Sequence, residues 1–483
     1  MNHTQLNDDV LLHIASFVDK DTLRTLMQTC PLLLHYGARR LLQDGVSLNE
    51  DDKRIWSFVT FMLNKGHSYR LKLLHSLRLT SPVYYSPHRP MLSRVTGMAL
   101  ATLFQSVALS GDLRSLCIFD SERFLRLHPS VPVAISMITT LEWLDVMEAG
   151  LCTISMLGKL RSPLTRARIA LAAPGREEGG TLSAYARNPM WLLRGFSHTL
   201  NRVSVTNSTC TLVGPWYPHV TYLHLNSADI LHTYKYVRAF PNLAVLATND
   251  CGVMIPQEEY EPRRARNMID QTAFGTWASL RCYEGSFLTL YMLGITRRIP
   301  KVVINHDEDH PDYEMIRTVL DDARPRRFEL SLDGAYWLLD PGFWPTFTHD
   351  GVDALRYFKL ELMLSTLDET TDILAVLEAV IVHALKPLRS LVAVWITVDF
   401  SWYFNDDGPL SAEGDPLLVP AEEALVEWDM DAYAQRIQDE VGGSATALRS
   451  VTVSLWNHCS LEDTTVTLGM KYEPDVHDEW SAE

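Results

Sequence analysis

Between residues 8 and 18, apolar residues recur among polar ones with the period of an α-helix. The apolar positions recur at spacings of three and four and so share one helix face. They are Val10, Leu11, Ile14, Phe17 and Val18. Asn7 suits the N-cap because its side-chain oxygen can accept a hydrogen bond from an unpaired backbone N–H, and Asp8 and Asp9 favour the positive end of the helix dipole. Leu6 and Leu11 have the spacing of a hydrophobic staple. A capped amphipathic helix is therefore predicted from about residue 8.

Two further short helices are predicted before residue 45. Asp19 or Asp21 can cap the second helix. Its inner side carries Leu23, Leu26, Met27 and Cys30. Pro31 fits the first turn of a third helix, where its missing N–H costs nothing. The buried stripe of that helix is Leu34, Ala38, Leu41 and Leu42. Three short helices bury little apolar surface, so the segment either docks on a partner or caps the domain that follows.

Beyond residue 50 helical stretches alternate with short strand-like runs of the form L-x-x-L-x-L. Examples begin at positions 74, 113, 141, 200, 220, 243, 355 and 448. Alternate residues of such a run point to one side of a strand. The tripeptide Leu-Arg-Ser recurs at positions 113, 160, 388 and 448, and three times it leads into a strand-like run. This recurrence indicates a repeated unit; a set of separate α/β domains is the alternative.

The segment 403–443 differs from the rest because it is strongly acidic. It holds eleven carboxylates and a single positive residue, Arg436. We expect an exposed insertion with one helix near Ala421 to Glu440, before a last strand at Leu448 to Leu455. The segment is either an acidic lip that attracts a basic partner or a solvated loop. The tail from Glu473 is expected to be frayed.

The N-terminal segment resembles an F-box. The resemblance rests on the order of the capped helix, the acidic link after it and the pair Thr29-Cys30. The sequence departs from the family at Asn7, where proline is usual, and at Leu33 or Leu34, where an aromatic residue often follows the cysteine. F-boxes dock on the Skp adaptor of SCF ubiquitin ligases, while the rest of the chain captures a substrate. The resemblance implies an adaptor-binding surface formed or supported by Leu6, Val10, Leu11, Ile14, Phe17, Leu23, Leu26 and Cys30.

The strand-like runs resemble leucine-rich repeats, in which alternating strand residues point into a solenoid. The Asn or Cys that usually closes the strand's turn is nearly absent, Cys251 being an exception. The implied fold class is α/β, with an N-terminal three-helix F-box followed by an irregular leucine-rich-repeat-like solenoid, or horseshoe. The expected domains are an F-box at 1–45, a helical linker at 46–73, a substrate-binding domain at 74–472 with the acidic insertion 403–443, and a flexible acidic tail at 473–483.

Composition narrows the functional classes. The 483 residues are 47% hydrophobic and 21% charged, as in a folded protein of several domains or of one elongated repeat domain. A net charge of −16 argues against nucleic acid as the main ligand. Small basic clusters at 263–266, 297–301 and 324–327 could share one surface but suit a solvated face. No membrane span is expected. The seven cysteines lack a C-x-x-C pair, which fits a reducing cytoplasm or nucleus.

Signals for catalysis or a cofactor are weak. The densest set of potential metal ligands is the run His306-Asp307-Glu308-Asp309-His310, which lacks the i, i+4 spacing of a helical metal site. The chain contains no Walker loop, Rossmann glycine pattern, G-x-S-x-G elbow or H-E-x-x-H helix. We therefore expect no catalytic residue, no metal and no cofactor. An enzyme with an unrecognised site is the alternative.

Aromatic residues near the proposed strand ends are candidates for partner contacts, because Trp and Tyr often anchor interfaces. They are Trp216-Tyr217, Tyr234, Tyr236, Tyr336-Trp337, Trp344, Trp395 and Trp402-Tyr403. We expect most of them to belong to the core and a minority to line a concave binding face.

The expected function is that of a non-catalytic substrate receptor in the cytoplasm or nucleus. It would bind the Skp adaptor, through it a cullin scaffold, and an unidentified protein substrate. Holding a substrate lysine beside a charged ubiquitin-conjugating enzyme would make the encounter effectively intramolecular. An F-box scaffold that acts by protein–protein interaction outside ubiquitination is the alternative.

Overall fold

Helices and strands alternate along nearly the whole chain in the part that the structure, a computed structural model, describes. This part comprises residues 7–49, 51–64, 66–80, 92–174, 181–210, 214–251, 255–305, 312–364, 368–401, 420–443 and 448–470. The chain forms two compact α/β units. Unit 1 is Met1–Asp229 with Arg238–Pro241, and unit 2 is Ile230–Val237 with Asn242–Glu483.

Three helices begin unit 1 at the predicted positions. They are α1 (Asp8–Phe17), α2 (Lys20–Leu26) and α3 (Pro31–Gln43). Asn7 caps α1 by accepting from the backbone N–H of Asp9, and Asp19 caps α2. Pro31 occupies the first turn of α3. These termini form as expected because a cap is satisfied within a few residues of itself.

The rest of unit 1 alternates strands and helices. In order they are β1 (Val46–Asn49), α4 (Asp52–Leu63), α5 (Tyr69–Leu73), β2 (Ser76–Thr80), α6 (Arg94–Ser110), β3 (Ser115–Ile118), α7 (Ser121–Arg126), α8 (Ser130–Ser136), β4 (Trp143–Ala149), α9 (Leu151–Leu157), β5 (Arg166–Leu171), α10 (Pro189–Leu192), β6 (Arg202–Thr206) and β7 (Tyr222–Asn226). The segment 46–73 is therefore not wholly helical. Its first residues form β1 because they pair in parallel with β2.

Unit 2 continues the alternation, after a helix whose residues belong partly to each unit, α11 (Thr233–Ala239). The elements are β8 (Val245–Asn249), α12 (Tyr260–Phe274), β9 (Cys282–Gly285), α13 (Phe287–Leu293), β10 (Lys301–Ile304), α14 (Tyr313–Ala323), β11 (Arg327–Asp333), α15 (Tyr336–Leu339), β12 (Tyr357–Met363), α16 (Ile373–Ala379), β13 (Ala393–Asp399), α17 (Pro420–Val426), α18 (Met430–Gly442), β14 (Ser450–Trp456) and β15 (Thr464–Gly469). The strands predicted from the L-x-x-L-x-L runs are confirmed as β2, β3, β4, β6, β7, β8, β12 and β14.

Within each unit a strand pairs with its predecessor along the chain, in parallel except for the antiparallel β15. The register aligns one buried row in each unit. In unit 1 the row is Leu77, Leu116, Leu144, Ala167, Val203 and Leu223. In unit 2 it is Leu246, Tyr283, Val302, Phe328, Phe358, Val394 and Val451. All are at most 4% exposed, so these side chains form the core beneath each sheet.

The acidic segment is not an exposed insertion where it is described. Residues 420–443 form two helices, α17 and α18, instead of the single helix expected. The break falls before Asp429, whose carboxylate caps α18 by accepting from the Ala432 N–H at 2.8 Å. α18 buries Ile437 and Val441, and the buried Tyr433 hydroxyl donates to the Leu377 carbonyl at 2.8 Å. The expected acidic tail and the first part of the segment, 403–419, lie outside the described residues.

Candidate functional site

α1 carries an apolar face that is open to solvent. Val10 is 43% exposed, Ile14 is 44% exposed and Phe17 is 76% exposed. The three side chains lie three or four residues apart, so they are neighbours on one side of the helix. Contiguous exposed apolar side chains of this kind mark interaction surfaces more often than isolated ones do. These are three of the predicted adaptor-binding residues.

The opposite side of α1 packs into a small core. The buried members of this cluster are Ala15, Leu23, Met27, Leu33 and Ala38. The packing is close, because a Cβ on Gly37 of α3 would overlap the Met27 side chain. Leu11, Leu26 and Cys30 are half-buried against the cluster, as is Phe61 of α4.

The structure thus separates the predicted adaptor-binding residues into three groups by exposure: core, edge of the core and open face. Leu23 is only 1% exposed and belongs to the core, so it can support a surface but cannot form one. Leu11, Leu26 and Cys30 lie at the edge of that core. Leu6 lies outside the described residues. The directly available face is the one formed by Val10, Ile14 and Phe17.

A groove of about 1000 Å³ lies beside the three helices, among α2, α3, β1 and α4. Its apolar lining includes Met27, Leu34, Leu41, Phe58 and Phe61. Its cationic residues are Lys20, Arg24, Lys53 and Arg54. Three of these form ion pairs: Lys20 with Asp44, Arg24 with Asp21, and Arg54 with Asp51. Sequence reasoning missed this groove, because it depends on how α4 packs against α3.

The outward side of the unit 1 strands forms a second surface, which we call strand face 1. On each strand the two residues on either side of the buried-row residue belong to this face. They are Ser76, Arg78, Ser115, Cys117, Trp143, Asp145, Arg166, Arg168, Arg202, Ser204, Tyr222 and His224. The register places Arg166 beside Arg202 and Arg168 beside Asp145. This face carries four arginines and one carboxylate.

Asp145 is the buried charge at the centre of strand face 1. It is 7% exposed, its Oδ2 lies 3.8 Å from Arg168 Nη1, and its Oδ1 is buried without a hydrogen-bond partner. Burial raises the pKa of this carboxyl group above its ordinary value, although Arg168, the Cys117 thiol and Arg78 oppose the rise. Burial, helped by Asp145, also raises the pKa of the Cys117 thiol to about 12. Cys117 is therefore a protonated thiol and a poor nucleophile at neutral pH.

The edge of strand face 1 at β6 and β7 combines rings with polar groups. The Arg202 guanidinium lies 4.6 Å from the centre of the Tyr222 ring, in a cation–π arrangement. Ser204 Oγ and His224 Nδ1 are 3.0 Å apart. Burial lowers the pKa of His224, and Arg168 lowers it further, so the imidazole is neutral at pH 7. The positive charge of this face is therefore carried by arginine.

The corresponding surface of unit 2, strand face 2, has as its charged and aromatic residues Glu284, Lys301, Arg327, Glu329, Tyr357, Lys359, Glu361 and Trp395. Its cations are paired. Glu329 lies 3.3 Å from Lys301 and 2.6 Å from Arg327, and Lys359 lies 2.9 Å from Glu361. Burial would raise the pKa of Glu329, but Lys301 and Arg327 outweigh it and the pKa is lowered. Each of the three cations therefore has a carboxylate partner on this face, and a further carboxylate, Glu284, accepts from the Asn305 side-chain amide at 3.4 Å.

The candidate aromatic residues divide between core and surface. Tyr217, Tyr236 and Trp337 are at most 1% exposed and belong to the core. Trp395 lies on strand face 2, with Lys359 Nζ 5.7 Å from its ring. Trp216 is 60% exposed. Trp402 and Tyr403 lie outside the described residues, whereas Trp143 and Tyr222, which sequence reasoning missed, lie on strand face 1.

The remaining sequence candidates have structural roles where they are described. Arg264 of the basic clusters is buried and pairs with Asp322 at 2.6 Å. His306–Pro311 lies outside the described residues, and the neighbouring Asp312 caps α14. Among described residues no group of three or more His, Cys, Asp or Glu is arranged to hold a metal ion. Within the same ranges no helix has the length and apolarity needed to cross a membrane.

Comparison with known proteins gives no family assignment: no protein-family model matches the chain, and no curated protein has a significantly similar sequence. The class that the structure defines is an α/β protein whose strands are mostly parallel.

Proposed function

We propose that this chain is a non-catalytic substrate receptor of the F-box type, acting in the cytoplasm or nucleus. In this proposal α1–α3 dock on the Skp adaptor of an SCF-type ubiquitin ligase, and the strand-rich remainder binds a protein substrate. The observation that carries the proposal is the open face of Val10, Ile14 and Phe17. Three helices that already possess a core of their own present this face to solvent. An apolar surface on a folded module is stabilised by a partner that buries it.

The order of the strands supports the second part of the proposal. Each strand lies beside its predecessor along the chain within its unit, and helices connect most successive strands; β6 leads to β7 and β14 to β15 without a helix among the described residues. A repeat protein has this arrangement, since each repeat contacts its neighbours. We therefore propose an irregular leucine-rich-repeat-like solenoid over 74–472, preceded by an F-box at 1–45. Its strand faces would hold the substrate near the ubiquitin-conjugating enzyme, which raises the effective concentration of the reacting groups.

The test is binding of the purified full-length chain to the purified Skp adaptor, measured by size-exclusion co-elution and calorimetry. The double variant Ile14→Asp, Phe17→Asp is expected to lose binding by at least about 100-fold, because two charged groups would be buried in the apolar interface. Leu109→Asp is the matched control, since Leu109 is an apolar residue 83% exposed on α6, outside the three N-terminal helices. It should bind as the wild type does.

Two outcomes contradict the proposal. One is absence of adaptor binding by the wild-type chain, and the other is equal binding by the wild type and the folded double variant, with folding checked by circular dichroism. Addition of the cullin subunit then distinguishes a ligase subunit from an F-box scaffold, because only the former assembles with adaptor and cullin together.

A further inference from the structure

Strand face 1 has a charge opposite to that of the chain. The chain carries a net charge of −16, yet this face holds Arg78, Arg166, Arg168 and Arg202 against the single carboxylate of Asp145. Arg78, Arg166 and Arg168 are exposed. Among the described residues Arg78 and Arg166 have no carboxylate within ion-pair distance. Positive charge is thus available here for a ligand.

The arrangement of the arginines suits an extended acidic ligand. Arg166 and Arg168 lie on the same side of β5, about 6.6 Å apart along the strand, as alternate residues of any strand do. Arg202 lies directly beside Arg166 on the next strand, about 4.8 Å away. Alternate side chains of an extended peptide have the same spacing as Arg166 and Arg168. Each guanidinium can hold a carboxylate through two parallel hydrogen bonds.

Two rings border the arginines and favour a peptide over a simple polyanion. Trp143 is 43% exposed and lies beside Arg166, and Tyr222 lies beside Arg202. Trp143 is thus exposed and Tyr222 half-buried, and Trp, Tyr and Arg are the residue types that most often anchor protein interfaces. A ligand with both apolar and acidic side chains would use the whole face.

We propose that strand face 1 binds an Asp- and Glu-rich segment of a partner protein, and that Asp145 tunes this affinity. The ionised Asp145 carboxylate, with one oxygen unpartnered, repels an acidic ligand and offsets part of the arginine charge. Identification of this partner as the ubiquitination substrate rests on the proposed function. Binding of an acidic segment depends only on strand face 1.

The experiment is fluorescence polarisation with the full-length chain and a labelled 15-residue peptide of alternating Asp or Glu and apolar residues. Its controls are the same peptide with Asn and Gln in place of Asp and Glu, a Lys-substituted peptide, and a single-stranded oligonucleotide. The double variant Arg166→Gln, Arg168→Gln should weaken binding of the acidic peptide at least about fivefold, as expected for two surface ion pairs. Asp145→Asn should strengthen it at least about twofold. Raising the salt concentration should weaken it.

A control variant that removes two positive charges elsewhere distinguishes binding at strand face 1 from attraction of the peptide by the overall charge of the chain. Arg297→Gln, Arg298→Gln removes the same charge from exposed positions of unit 2, so it should leave the affinity within about twofold of wild type. The inference is overturned if this control weakens binding as much as the strand face 1 variant does. It is also overturned if Asp145→Asn weakens binding, or if the oligonucleotide binds at least as tightly as the acidic peptide.

Failure of this inference can be told apart from failure of the proposed function. The variant Arg166→Gln, Arg168→Gln should still bind the Skp adaptor, whereas Ile14→Asp, Phe17→Asp should still bind the acidic peptide. If the adaptor is not bound but the peptide results hold, strand face 1 is an acidic-segment binding surface of a protein with another role.

Discussion

The two strand faces share a backbone plan and differ in how their charges are arranged. In both units a buried apolar row alternates with an outward row, and the register is parallel throughout these strands. On strand face 2 Glu329 lies within ion-pair distance of both Lys301 and Arg327. On strand face 1 Arg166 lies beside another arginine, Arg202. Cross-strand pairs of opposite charge stabilise a sheet and like charges oppose it. The comparison teaches that the same strand arrangement can either pair its outward cations with carboxylates or leave cations unpaired on its surface.

The largest change in stability is expected from a substitution in the buried rows beneath the strand faces. Phe328 is fully buried and lies within ring contact of Phe287, Phe347 and Phe358. Phe328→Ala should lower the free energy of unfolding by about 3–5 kcal/mol, because it leaves a cavity among these rings. Urea unfolding followed by tryptophan fluorescence measures the change. Phe274→Ala, at a position 66% exposed, should cost no more than about 1.5 kcal/mol, because the contact it loses is the stacking on Tyr234. Equal losses from the two variants would mean that the buried row is not the core.

The second largest loss of stability is expected when the ion pairs within strand face 2 are removed. Glu329→Gln leaves Lys301 and Arg327 without their shared carboxylate, and should destabilise the chain by about 1–3 kcal/mol. Since the folded pKa of Glu329 is lowered, its stabilisation is present above its ordinary pKa of 4.5 and is lost as pH falls below that value. The stability difference between wild type and variant should therefore shrink below about pH 4.5. A difference that grows on acidification, in urea midpoints measured from pH 3 to pH 7, would contradict this account.

The same variant, Glu329→Gln, also tests whether the two strand faces differ in their affinity for the acidic peptide because of their charge pairing. With Glu329 neutralised, strand face 2 holds unpaired cations as strand face 1 does, so it should acquire measurable affinity for the acidic peptide, about two- to fivefold above that of wild-type strand face 2. The measurement is made in the Arg166→Gln, Arg168→Gln background, where strand face 1 is weakened. No gain there would show that free positive charge alone does not define the binding surface.

The smallest change in stability is expected from neutralising Asp145. Its pKa is raised in the folded chain, so the ionised group costs stability once the pH rises above the ordinary pKa of 3.8, and the full cost applies above the folded pKa. Asp145→Asn should therefore raise stability at pH 7 by less than about 1 kcal/mol and have little effect below pH 3.8. Thermal unfolding at both pH values checks the sign. Destabilisation at pH 7 would mean that the contact with Arg168 outweighs the burial of the carboxylate.

Features decided within a few residues were predictable from the sequence. The caps at Asn7 and Asp19 and the first-turn Pro31 formed as expected because each depends on a local donor or on a fixed φ angle. The strands within the L-x-x-L-x-L runs were also recognisable. Seven others, β1, β5, β9, β10, β11, β13 and β15, are not among those runs. In β5 and β9 the reason is that Ala167 and Tyr283 occupy the central buried position, where parallel neighbours decide the pairing.

The surfaces depended on information that the linear sequence does not carry. Arg166 and Arg202 are far apart in the chain, and only the register of β5 and β6 makes them neighbours. Likewise, the carboxylates of the acidic segment look alike in sequence, and the fold selects Asp429 among them as a helix cap. The exposure of Phe17 could not be predicted either, because an amphipathic pattern does not say which partner covers the apolar face.

The pairing of each strand with its predecessor has a consequence for biosynthesis. A strand that pairs with the one before it finds its partner already formed when it leaves the ribosome, so the sheet of each unit can grow from the N-terminal side as translation proceeds. Phe61 of α4 is the residue from outside α1–α3 that packs against the described three-helix cluster. A nascent chain therefore possesses its open α1 face several hundred residues before β15 is made.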